Sequence, residues 1–111
     1  MNKIVPLWQN YINGKFVDGG DGWLAIEDPA SGEIIAEQAI ADAGDVDAAV
    51  TAAKNCHESS VLSDMRPVER GRLVRQIGDY LIDNIESIAE TLCREMGKPY
   101  WEACNEVHGS A

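Results

Sequence analysis

The chain has 111 residues, a 45% hydrophobic and 25% charged composition, and a net charge of −10, enough for one domain with a modest core. That balance argues against binding nucleic acid, which rests on neutralising phosphates with Lys and Arg, and against adhesion to an anionic membrane surface. No charged-then-apolar leader and no apolar run of bilayer length is present, and three cysteines without framework spacing read as reduced thiols of a cytoplasmic protein.

Residues 1–10 read as a lead-in without pattern, with Leu7 and Trp8 as anchors. Tyr11-Ile12-Asn13-Gly14-Lys15-Phe16-Val17 is a hairpin signal, because a type I′ turn needs positive φ at both central residues and Asn-Gly supplies it. Gly19 to Gly22 is a loop, and Trp23 to Glu27 alternates as a strand. Asp28-Pro29-Ala30-Ser31-Gly32-Glu33 is a turn in which Pro presets φ, Asp bonds back to the backbone and Gly absorbs a left-handed residue. Ile34 to Ile40 is the return strand, so the first forty residues predict two successive hairpins.

Asp42 opens the helical half, with Asp45 completing a box-like helix start. Val46, Ala49, Val50 and Ala53 make a narrow stripe suited to close packing, and fraying is expected near Asn55 to His57. Glu58 to Met65 is a connector. From Arg66 to Pro99 two helices follow in tandem, the first with Pro67 at its start and an apolar row of Leu73, Val74, Ile77, Tyr80 and Leu81. After the cap pair Asp83-Asn84 the row restarts as Ile85, Ile88, Ala89, Leu92, Cys93 and Met96, one face of a second helix stopped by Gly97 and Pro99. Both rows are expected to build the core. Pro99 opens a last helix with Tyr100, Ala103, Cys104 and Val107 on one face.

The candidate chemistry is thin. Cys56-His57 sets a thiol beside a base, but helix neighbours point about 100° apart. Cys104 and His108 share a face, yet two ligands do not make a zinc site. Cys93 reads as a small buried apolar residue. Arg66, Arg70, Arg72 and Arg75 with Glu69 read as a solvated charged face or as ion pairs with the acidic first half, and Asp42, Asp45 and Asp47 as charge complementing a helix dipole. Gly97-Lys98-Pro99 lacks the strand and spaced glycines of a phosphate loop. No complete active site is present in these residues.

The order of the signals carries more than any one of them. The Tyr11–Val17 hairpin, the Asp28–Glu33 turn, Asp45-Val46-Asp47-Ala48-Ala49-Val50, Pro67-Val68-Glu69-Arg70-Gly71-Arg72-Leu73 and Gly97-Lys98-Pro99 together resemble the N-terminal part of the aldehyde dehydrogenase superfamily, from about Tyr11 to Val107. The resemblance implies an α/β fold in which two N-terminal β-hairpins and about four α-helices form the outer part of a Rossmann-like cofactor domain. Residues 11–111 would be the N-terminal part of that NAD(P)-binding domain, incomplete at its C-terminus. It implies a cytoplasmic oxidoreductase that uses NAD or NADP to convert a small-molecule aldehyde to an acid through a thiohemiacetal on a cysteine. A homodimer or homotetramer is implied for the complete protein. The family's nucleophile, glutamate base, oxyanion asparagine and cofactor-binding glycine turn have no counterpart here, so the chain is expected to be an inactive amino-terminal fragment that binds no cofactor itself. The end within an apolar-faced helix agrees with that expectation. The alternative is a short binding module, or a gene remnant, derived from the family. One family site maps onto this chain: a monovalent cation, K+ or Na+, held by backbone oxygens of Ile26 and Glu27 and by the side chain at Glu95, where many relatives carry Asp.

Overall fold

A computed structural model describes residues 5–111, which divide into two compact units. One unit takes the chain up to Glu27 and Ile34–Asp64; the other takes Asp28–Glu33 and Met65–Ala111.

In the first unit, β1 (Leu7–Trp8), β2 (Asn10–Ile12), β3 (Lys15–Val17), β4 (Trp23–Glu27) and β5 (Ile34–Ala39) precede α1 (Ala43–Glu58). The Asn-Gly hairpin forms as expected: Asn13 and Gly14 take φ of 51° and 78°, and β2 pairs antiparallel with β3. Tyr11 and Phe16 stand opposite each other across it, their rings edge to face at 5.1 Å, a geometry aromatic quadrupoles favour. The second hairpin joins β4 to β5, again antiparallel. The lead-in differs from its patternless reading, since Leu7 and Trp8 form a short strand parallel to β5 and give the sheet order β1-β5-β4. Backbone pairing anchors them, not burial: both side chains are exposed. The first four residues of that lead-in lie outside the described residues.

Gly19 sits where the backbone must come close. A Cβ there would lie 2.0 Å from the Ile40 carbonyl oxygen, a contact only glycine avoids. The next residue, Gly20, meets the start of α1 in space, where Asp42 and Asp45 form the reciprocal capping box. The helix does not fray at Asn55 to His57 but continues to Glu58. The Ser59 hydroxyl donates to the Cys56 carbonyl at 2.7 Å and the Ser59 N–H to the Asn55 carbonyl at 2.9 Å, so the carbonyls of the last turn find partners. Its apolar stripe does not pack closely as expected: no residue of α1 is buried, and Val46 and Val50 are exposed.

In the second unit, α2 (Pro67–Asp83), α3 (Ile85–Met96) and α4 (Tyr100–Ser110) follow one another. Glu69 reaches back to the N–H of Arg66, the residue before α2, at 3.0 Å and to its guanidinium at 2.9 Å. Asn84 breaks the tandem pair with φ −117° and ψ 19°, and its amide donates to the Tyr80 carbonyl at 2.8 Å. It thus closes α2 by capping a carbonyl instead of accepting from the N-terminus of α3. Gly97 ends α3 in the left-handed region at φ 69°, as its C′ reading required.

The core of this unit lies between α3 and α4. Ala89, Ala103 and Val107 are buried, with Leu81, Ile85, Ile88, Leu92, Cys93 and Cys104 packed around them. The expectation that the α2 row shares this core is corrected: Val74, Ile77 and Tyr80 are 68%, 63% and 64% exposed, and only Leu81 of that row joins the cluster. Helical spacing aligns apolar residues on one face but supplies no element to cover it.

Candidate functional site

The residues assigned to a cation lie on different elements. Ile26 and Glu27 are the last two residues of β4, half-buried and exposed respectively. They pair with Ala36 and Ile34, and the register shifts between them, a bulge that bends the ladder there. Glu95 is an exposed residue in the last turn of α3. Ile26 and Glu27 belong to the first unit and Glu95 to the second.

Two of the sequence motifs meet inside the second unit. The Asp28–Glu33 turn is tied by four bonds: Asp28 N–H to the Glu33 carbonyl at 2.9 Å, Gly32 N–H to the Asp28 carbonyl at 2.8 Å, Ala30 N–H to Asp28 Oδ1 at 2.8 Å, and Glu33 N–H to Ser31 Oγ at 3.3 Å. Its Pro29 ring packs on Gly97, where an added Cβ would stand 3.0 Å from Pro29 Cγ. Gly97 therefore answers to two demands, a positive φ and a close neighbour, and only the first can be read locally.

Lys98 is not a free cation. Its ammonium pairs with Glu106 of α4, and that bond, with the charges of Glu106 and Glu102, holds its pKa above the ordinary lysine range. Phosphate binding through Gly97-Lys98-Pro99 is disfavoured by those carboxylates as well as by the missing glycines. Asp45 also has a second partner. Besides the Asp42 N–H, its Oδ2 accepts from the Gly20 N–H at 2.8 Å, and the Gly20 bond is the larger cause of its lowered pKa, followed by the Asp42 bond.

Neither cysteine–histidine pairing gains support. Cys56 is exposed, and its carbonyl serves the helix cap described above. The neighbouring Cys104 thiol pushes the Tyr100 phenol up in pKa, with burial and the charges of Glu86 and Glu90 adding to it. Tyr100 and Cys104 stand one turn apart on α4, so the spacing that offered His108 offered Tyr100 equally. The Arg70 guanidinium donates to the Met65 carbonyl at 2.5 Å, a structural task at the start of α2. A surface depression of about 340 Å³ at the junction of α2 and α3 is lined by the consecutive residues Asp83 to Ser87. Two of these are carboxylates, and no distant group converges on it.

Among the described residues no group of three or more His, Cys, Asp or Glu side chains is placed to hold a metal ion. The sequence contains no Gly-x-Gly-x-x-Gly run of the kind that seats a dinucleotide's pyrophosphate. What these residues accomplish chemically is self-assembly: capping, turn closure and helix packing.

Comparison with known proteins gives this scaffold its context. The family model described as the aldehyde dehydrogenase family matches residues 16–111. Malonate-semialdehyde dehydrogenase 1 of Oceanobacillus iheyensis is 42% identical over 100 residues, which are 89% of this chain and 20% of that protein. The crystal structure of an NAD-dependent aldehyde dehydrogenase from Sinorhizobium meliloti superposes with a TM-score of 0.88 at 30% identity, over 95% of this chain and 21% of that one. Betaine aldehyde dehydrogenase from Staphylococcus aureus, solved in complex with NAD+, gives a TM-score of 0.85 at 26% identity, over 89% of this chain and 20% of that one. The chain thus spans about a fifth of the length of these relatives. With its motifs in family order, its hairpins and helices in family positions and its model match running through 96 residues, the chain belongs to the aldehyde dehydrogenase family.

Proposed function

We propose that this chain is the amino-terminal part of an NAD(P)-dependent aldehyde dehydrogenase, which oxidises an aldehyde to a carboxylic acid through a thiohemiacetal on a cysteine outside these residues. Residues 11–111 would serve as the outer part of the NAD(P)-binding domain, with residues 1–10 as its lead-in. The observation that carries the reading is the family match over residues 16–111, confined to about a fifth of each relative. In this role the chain's own residues position and bury; they touch neither aldehyde nor nicotinamide. The cofactor, when bound by the complete protein, accepts the hydride. The complete protein would be a cytoplasmic homodimer or homotetramer with no nucleic-acid or membrane partner.

Two assays test this. The purified 111-residue chain is expected to show no aldehyde-dependent reduction of NAD or NADP, and turnover above a no-enzyme control would refute that. The complete reading frame that carries this segment is expected to turn over with at least one member of an aldehyde panel. Silence with both nucleotides and every aldehyde would count against the assignment. Light scattering on the same preparation reads its oligomeric state.

The cation reading of Ile26, Glu27 and Glu95 belongs to the same proposal. The register shift at Ile26/Glu27 supports it, because a bulge turns backbone groups out of the ladder. Melting the complete enzyme in K+, in Na+ and in a bulky organic cation should give a higher Tm with a metal ion, and Glu95→Gln should shrink the difference. Equal Tm values in all three would exclude the site. A second reading, a short interaction module, draws on the exposed face of α2. It requires a soluble chain of defined oligomeric state, where the fragment reading expects a chain that aggregates through its exposed apolar faces.

A further inference from the structure

We propose that Cys93 and Cys104 are an oxidisable pair that closes into a disulfide between α3 and α4, with a low-molecular-weight disulfide such as oxidised glutathione as the oxidant. Cys93 of α3 and Cys104 of α4 both pack against the buried cluster formed by Ala89, Ala103 and Val107. The two helices are joined only by Gly97, Lys98 and Pro99, so they run back along each other as an αα-hairpin. Cys93 lies four residues before Gly97 and Cys104 five after Pro99, which sets them at matching levels from the turn.

A disulfide needs Cα atoms within about 4.4–6.8 Å. Here Ala89 and Ala103 are both fully buried, and side chains ending at Cβ let backbones approach at the short end of the usual range. Cys104 packs against a buried cluster that includes Ala89 of α3, which places its side chain at the α3–α4 contact. Cys93 follows Glu90 by three residues and Ala89 by four, on the stripe between them. Both thiols are half-exposed, so a small oxidant reaches them. Cys56, in the other unit, is the internal control.

The exchange balances without further reagents. One cysteine thiolate attacks a sulfur of glutathione disulfide, forming a mixed disulfide and expelling one glutathione thiolate. The second cysteine thiolate attacks the protein sulfur of that bond and expels the other glutathione thiolate. The S–S bond between Cys93 and Cys104 forms as that of glutathione disulfide breaks. Two electrons pass to glutathione, and the two protons of the protein thiols end on the two glutathione thiols or in solvent.

The test is to equilibrate the 111-residue chain with graded ratios of oxidised to reduced glutathione, quench the remaining thiols by alkylation, and quantify every cross-linked peptide pair. The same titration is run in concentrated guanidinium chloride. Loop closure alone favours the Cys93–Cys104 pair over Cys56–Cys93 roughly sixfold in an unfolded chain. The structure predicts a preference at least about tenfold beyond that denatured value, and a higher Tm for the oxidised chain that Cys93→Ser abolishes and Cys56→Ser does not. A pair ratio unchanged by denaturant, or cross-links dominated by Cys56, would overturn the proposal.

Discussion

Single residues in this chain hold more than their local sequence announces. Asp45 was legible as half of a capping box because Asp42 stands three positions away. Its bond to the Gly20 N–H was not, because that partner is 25 residues distant and only the fold brings it near. Since both bonds favour the carboxylate, the folded pKa lies below the ordinary 3.8. Glu69 is held below its ordinary 4.5 by Arg66, through the side-chain bond first and the backbone bond second. Lowered folded values mean stability that is present in full above the ordinary pKa and lost as pH falls through the folded one. Urea unfolding followed from neutral pH into acid should therefore show a declining limb starting near those values, less steep in Asp45→Asn and in Glu69→Gln. Lys98 works in the opposite direction. Its raised pKa gives stability that is present below 10.5 and lost as pH climbs through the folded value. Gly97→Ala should cost about 1–2 kcal/mol for the left-handed backbone alone, and more if Pro29 cannot yield, measured as a drop in the urea midpoint at unchanged m-value.

Among the elements, boundaries were easier to read than faces. The break at Asn84 and the stop at Gly97 each rest on one residue's chemistry, and both stand where the sequence put them. The faces depended on what else is present. The rows of α2 and α3 have the same helical period, yet the α3 row packs on α4 and most of the α2 row stays exposed. Periodicity states that a face exists, and a partner decides whether it is covered. The α3–α4 contact is built on small residues, so Ala89→Leu should overpack it and cost about 1–3 kcal/mol. Leu92→Ala, which removes bulk beside the same contact, should leave the helix pair formed but loosened, with faster amide exchange along α4 as the readout.

For the whole molecule, every buried hydrophobic residue among those described is Ala or Val, while large side chains such as Trp8, Phe16, Ile77 and Trp101 stay exposed. Apolar surface of that kind recruits dyes and other chains. The isolated chain should enhance the fluorescence of a hydrophobic probe strongly and sediment with concentration-dependent mass; a compact monomer that ignores the dye would contradict it. Family membership was legible because five weak motifs stood in one order. The candidate cation site was legible only through that resemblance, since backbone oxygens leave no mark in a sequence and Glu95 alone looks like any exposed helix residue. The division into two units has a use for spectroscopy. Trp8 and Trp23 belong to the first unit and Trp101 to the second, so the second carries a single indole, 67% exposed. Replacing Trp101 with Phe leaves an emission spectrum that reports the strands and α1 alone. The difference from the parent spectrum isolates the helical unit, and each half of the chain can be watched melting in its own colour.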